Sequence, residues 1–106
     1  MAGEPAHAKL GERLAKDPRD AVALAQRGTA RELLGERDGA LADFNRALRI
    51  APKDAFTYRA RGGLWTARRD YCRAIADFDR ALELDPKDGT AYHGRGVAKF
   101  DDEDYD

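Results

Sequence analysis

One recurrence limits what this chain can fold into. Ala74–Pro86 reads AIADFDRALELDP, and Ala40–Pro52 reads ALADFNRALRIAP, the same pattern 34 positions earlier. A worn copy, AHAKLGERLAKDP at Ala6–Pro18, stands at the same step again. Each copy sets Ala, an apolar residue, Leu and Pro four positions apart, which lays one apolar stripe along a single helix face. The Pro ends that helix, because it has no amide to donate and disfavours helix in the residue before it. Self-similarity at this period predicts stacked repeats, none of which can bury its apolar face alone.

The intervening segments keep the same step. Leu24, Tyr58 and Tyr92 are in register, as are Arg27-Gly28, Arg61-Gly62 and Arg95-Gly96. Asp20, Asp54 and Asp88 follow each Pro turn, placed to cap a helix with a carboxylate. The unit is therefore helix A, a short turn, helix B and a Pro turn. A helical glycine costs about 0.5–1 kcal/mol relative to Ala, so its recurrence at Gly28, Gly62 and Gly96 implies that helix B approaches closely there.

With these residues in view, the chain resembles the tetratricopeptide repeat family from Ala6 onward. The large, small, Ala, aromatic, Ala and Pro positions are Leu24, Gly28, Ala40, Phe44, Ala47 and Pro52, then Tyr58, Gly62, Ala74, Phe78, Ala81 and Pro86. Three places depart from the pattern. Arg31 and Lys99 stand where the family favours a bulky apolar residue, as Trp65 does, and Arg13 stands where Ala47 and Ala81 do later. The expected fold is all-α, a short right-handed superhelical solenoid of antiparallel helix pairs. Residues 6–17 form an orphan helix B, 21–54 and 55–88 two full repeats, and 89–106 the A helix of a third, within a single domain. Helices are expected over Ala21 to Leu34, Asp38 to Ile50, Ala55 to Arg68, Tyr71 to Leu84 and Thr90 to Asp101, with a turn at Asp104-Tyr105 in register with Asp70-Tyr71.

The orphan helices at the two ends admit three readings. The chain is cut from a longer array or larger protein, its end helices are solvated caps, or they pack head-to-tail between molecules as a self-assembling scaffold. The cut array is placed first. Arg13 and Lys99 on the two meeting faces would repel in a head-to-tail joint, although the acidic run Asp101–Asp106 could offset them.

The resemblance also places function. In this family the A helices line a concave groove that takes an extended peptide or a partner helix. By register its positions here are Val22, Ala25, Gln26, Thr29 and Glu32, then Phe56, Arg59, Ala60, Gly63 and Thr66, then His93, Gly94, Val97 and Phe100. Some members hold a terminal carboxylate with cations and Asn. The corresponding places hold Ala25, Thr29, Ala60, Thr90 and Gly94, so no such clamp and no binding of chaperone C-terminal tails is expected. Arg59 and His93 offer positive character and Phe56 and Phe100 apolar anchors, suited to a partner with an acidic and an apolar residue. Arg27 and Arg61 recur with Asp43 and Asp77 at a fixed offset, and are expected to be tied to Asp side chains rather than to phosphate.

Composition narrows the function classes. Over 106 residues, 19 basic and 20 acidic side chains balance, which favours neither nucleic acid nor an anionic membrane. Cys72 is the sole cysteine, so intrachain disulfides and cysteine metal sites are excluded; at a helix start it reads as a small semi-exposed residue rather than a reactive thiol. His7 and His93 have no nucleophile or base arranged with them. The acidic tail lacks the spacing of a calcium loop. Tyr58, Trp65, Phe78 and Tyr92 read as core. No secretory h-region or membrane-length apolar run is visible, which makes the cytoplasm the default location. The expectation is a non-catalytic module, without cofactor or metal, that binds a protein or peptide and scaffolds an assembly.

Overall fold

The computed structural model describes residues 8–104, the last by its backbone alone. They form six helices: α1 Ala8–Lys16, α2 Ala21–Leu33, α3 Arg37–Ile50, α4 Ala55–Ala67, α5 Tyr71–Leu84 and α6 Gly89–Asp104. No strand occurs among the described residues. The helices fall into two compact units, one carrying α1–α3 and the other α4–α6. In the first, α2 packs on α3 and α1 on α2; in the second, α4 packs on α5, and α6 on both. Within each unit the short connections make sequence neighbours antiparallel.

Local chemistry sets the helix ends. Asp20, Asp54 and Asp88 each accept a backbone N–H of the first turn, from Ala23 at 3.0 Å, Phe56 at 3.2 Å and Ala91 at 3.1 Å. The A helices α2 and α4 close in a way that periodicity did not announce. Gly35 and Arg69, one repeat apart, both take the left-handed conformation, with φ of 82° and 61°. The amides that follow fold back, Glu36 N–H to Arg31 C=O at 2.8 Å and Asp70 N–H to Trp65 C=O at 2.9 Å. This satisfies carbonyls that the helix end would leave open and reverses the chain.

Each unit hides its own stripe. Leu14, Ala23, Leu24, Ala25 and Ala47 form the core of the first, with Leu10 and Ile50 against it. Phe44 has no exposed surface. In the second, Phe78, Ala81, Leu82, Ala91 and Ala98 are buried, with Tyr58 and Trp65 packed against them. The alanines let helix axes approach while the two phenylalanines fill the space between.

Several expectations are corrected at α6. The helix runs on through Asp101 to Asp104, where a turn was expected, and Glu103, in register with Gly35 and Arg69, stays helical. Tyr92, expected in the core, is exposed because no helix among the described residues covers that side of α6. A β-carbon on Gly96 would meet nothing within 4 Å, whereas one on Gly94 would stand 2.5 Å from the Phe78 ring. The small residue that α6 needs is therefore Gly94, because α6 packs on the helix before it. Ala6, His7, Tyr105 and Asp106 lie outside the described residues.

Candidate functional site

Helix pairing brings the recurring arginines and aspartates together. Arg27 on α2 donates from Nε and Nη2 to the two carboxylate oxygens of Asp43 on α3, at 2.9 and 2.8 Å. Arg61 on α4 does the same to Asp77 on α5, at 2.7 and 2.8 Å. The Asp43 side chain is only 5% exposed and Arg27 22%, so these are mostly dry, two-pronged pairs. The carboxylate hydrogen bonds hold both guanidinium groups above their ordinary range, against the opposing effect of burial. The expected Arg–Asp ties are present, and they use these arginines structurally. Arg31, noted in the sequence only as a departure, donates to Asp43 as well, at 3.2 Å. It stands one helical turn after Arg27, a spacing that puts both on one face and could have revealed it.

The expected groove positions differ in what they offer. In the first unit Val22 and Gln26 are exposed, but Ala25 is 2% exposed and presents nothing to a partner. The Thr29 hydroxyl donates to the Ala25 carbonyl at 3.1 Å. Glu32 is half-buried; desolvation pushes its carboxyl up, and nearby Arg37 only partly offsets this.

In the second unit Phe56 on α4 is exposed, Ala60 and Gly63 are half-buried, and the Thr66 hydroxyl donates to the Gly62 carbonyl at 3.0 Å. Arg59 is not a free cation. Its Nη1 donates to both oxygens of Asp88 at 3.1 Å, and its guanidinium lies 5.2 Å from the Phe56 ring centre. Burial pushes the Asp88 carboxyl up, but the Ala91 amide and Arg59 outweigh it and the net displacement is downward. Asp88 thus caps α6 and anchors α4 at once, a second role its position as a cap did not disclose. On α6, His93 and Val97 are exposed and Phe100 is 65% exposed, while Gly94 is taken up by Phe78. Among the described residues, no three His, Cys, Asp or Glu side chains gather as a metal site, and no helix is long and apolar enough to cross a membrane. Cys72 is exposed.

The tetratricopeptide repeat family model matches residues 21–54. No protein of curated function matches the chain. Solved structures share its fold. The first such domain of human RPAP3 superposes with a TM-score of 0.89 at 23% identity, over 93% of this chain and 78% of that one. The first such domain of Spaghetti (RPAP3), bound to the HSP90 peptide SRMEEVD, gives 0.85 at 23% identity, over 89% and 75%. The domain of Arabidopsis OM64 gives 0.85 at 26% identity, over 90% and 78%. Domains of this kind are protein–protein interaction modules, as the peptide complex illustrates. One repeat of the chain is thus similar in sequence to the tetratricopeptide repeat family, and the helix-pair architecture is shared with such domains across nine tenths of its length.

Proposed function

We propose that the chain is a non-catalytic binding module that takes a peptide or partner helix at the groove positions of its A helices. The observation that carries this is where large apolar side chains meet solvent. Val22 on α2, Phe56 on α4, and Val97 and Phe100 on α6 are exposed at positions the repeat register assigns to the groove, while Leu33, Leu34 and Tyr92 are exposed outside it. Exposed aromatic and aliphatic groups at a binding face give up water on contact and supply most of the affinity.

The partner segment that fits is apolar, with its charge a minor feature, because Arg59 is already neutralised by Asp88. That leaves His93 as the polar neighbour of Val97 and Phe100 on α6. The positions that would clamp a terminal carboxylate hold no cation, so an HSP90-type C-terminal tail is not the partner we infer. Holding an assembly together and residing in the cytoplasm are the working setting for such a module.

The test is a peptide-array screen with the native chain and with Val97→Ser/Phe100→Ala. Loss of the same set of peptides in the variant supports the groove; an unchanged pattern dismisses it. Arg59→Glu is the poorer probe, since it would set a carboxylate against Asp88 and disturb the start of α6.

A further inference from the structure

Three consecutive positions at the end of α2 break the pattern that the second repeat keeps. Glu32, Leu33 and Leu34 stand where α4 and its cap have Thr66, Ala67 and Arg68. Leu33 and Leu34 are 84% and 60% exposed, and no other large apolar residue described is as open to solvent as Leu33. Glu32 is half-buried; the loss of water works against its charge, and Arg37 offsets this only in part. No ion pair or hydrogen bond reaches its carboxylate among the described residues. Asp20, Asp43, Asp77 and Asp88, by contrast, each hold an arginine. The helix end deepens the deficit, because the last carbonyls of α2 are its negative pole and favour a nearby cation. Arg31, the basic residue of that turn, is directed to Asp43 instead.

From these relations we infer that the corner formed by Glu32, Leu33 and Leu34 docks a segment of another protein that presents Arg or Lys with large aliphatic residues to either side on the same face. The cation meets the Glu32 carboxylate and the carbonyl end of α2. Its aliphatic neighbours cover the two leucines, which shed water on contact. This rests on the reading of the chain as a binder of apolar segments; it adds one cation to the partner, and two leucines outside the groove to the surface that meets it.

Charge and burial select this occupant. A nucleic acid or an anionic lipid surface would set phosphates against Glu32 and against Glu36, exposed just past the turn, and like charges brought together are disfavoured. A metal ion would find no group of three His, Cys, Asp or Glu side chains among the described residues. A second copy of the chain offers no such face: on none of the described helices does a cation have an exposed large aliphatic residue one turn away on both sides.

The probe is a capped helical peptide of alanine and glutamine with Arg at its centre and Leu one helical turn to either side. Titrated into the full isotope-labelled chain, it is expected to shift the amides of Glu32, Leu33 and Leu34 progressively to saturation. The same peptide with citrulline, a neutral isostere, in place of Arg is expected to bind about five-fold more weakly, the upper end for a pair open to water. Against Glu32→Gln the two peptides should bind alike, and Leu33→Ser/Leu34→Ser should weaken both. None of the three side chains belongs to a core, so circular dichroism of the variants should match the native chain. An Arg preference that survives Glu32→Gln, or binding unchanged in the leucine variant, would overturn the inference. Shifts confined to Val97 and Phe100 would uphold the groove and overturn the corner; absence of any shift would overturn the corner as well. So would dimers in sedimentation that dissolve on Leu33→Ser/Leu34→Ser, which would make a second copy the occupant.

Discussion

The Phe44 ring occupies the space that a side chain on Gly28 would need: a β-carbon there would stand 2.7 Å from Cε1 of the ring. Because Phe44 is fully buried, the ring cannot swing away without opening the core. Gly28→Ala is therefore expected to destabilise the fold by about 1–2 kcal/mol, the usual range for overpacking less the helical gain of alanine. Gly94→Ala, at 2.5 Å from the Phe78 ring, should behave alike. Gly96→Ala, with open space around it, should instead stabilise by about 0.5–1 kcal/mol. Urea denaturation of the three variants checks the ordering, and a destabilised Gly96→Ala would contradict it.

Asp43 faces two guanidinium groups from a nearly dry position, so its charge cannot be removed cheaply. Asp43→Asn leaves Arg27 and Arg31 partly buried without a counter-ion, and about 2–4 kcal/mol of stability should be lost, near the range for breaking buried pairs. Asp79 pairs with Arg95 but is 49% exposed, and Asp79→Asn should cost less than about 1 kcal/mol. Denaturant midpoints compared with the native chain decide between these; equal losses at the two sites would refute the distinction by burial.

What could be read in advance was whatever a helix pair repeats within itself. The apolar stripe through Phe44 and Phe78, the caps at Asp20, Asp54 and Asp88, and the offset from Arg27 to Asp43 all recur in register, so periodicity exposed them. What α6 does was not legible, because its neighbours belong to the preceding pair rather than its own. That is why Gly94 rather than Gly96 receives an aromatic ring, and why Tyr92 stays in solvent. The groove positions follow from the family register, which carries no knowledge of side-chain partners. It could not tell that Ala25 is buried or that Asp88 neutralises Arg59. The left-handed residue at Arg69 was hidden for another reason: Gly35 signals that backbone, but arginine does not.

That residue supplies a stabilising substitution. Arg69 holds φ at 61°, a region that brings its β-carbon against the backbone and costs a non-glycine residue about 1–2 kcal/mol. Gly35 meets the same demand without the strain. Arg69→Gly is expected to raise stability by about 0.5–1 kcal/mol, some of the relief being offset by the greater freedom of glycine in the unfolded chain. Gly35→Ala should lower it by about 1 kcal/mol. Thermal melts of both variants test the pair; a destabilised Arg69→Gly would show that its side chain matters more than its backbone.

The acid dependence of stability follows from three carboxyls moved in opposite senses. The Asp20 carboxyl is held below the usual range by the Ala23 amide and by Arg13, whose Nη2 lies 2.7 Å away. At Asp88 burial pushes upward, but the Ala91 amide and Arg59 prevail and the carboxyl is lowered. For both, the folded state holds its proton less tightly than the unfolded state. Their contribution is thus complete above the ordinary Asp value of about 3.9 and is lost as pH falls through the lower folded values. Glu32 is displaced upward by burial, with Arg37 opposing. Its contribution is complete below the ordinary Glu value of about 4.3 and is lost as pH rises through the higher folded value. On acidification from neutrality, stability should first rise as Glu32 takes up its proton, then fall below about pH 4 as Asp20 and Asp88 do. Asp20→Asn and Asp88→Asn keep a competent cap and should each flatten the acid limb. Glu32→Gln should abolish the preceding rise and leave the limb in place. Urea midpoints measured from pH 7 to pH 2.5 for the four proteins provide the check, and an acid limb unchanged in both Asn variants would assign acid sensitivity to other carboxylates.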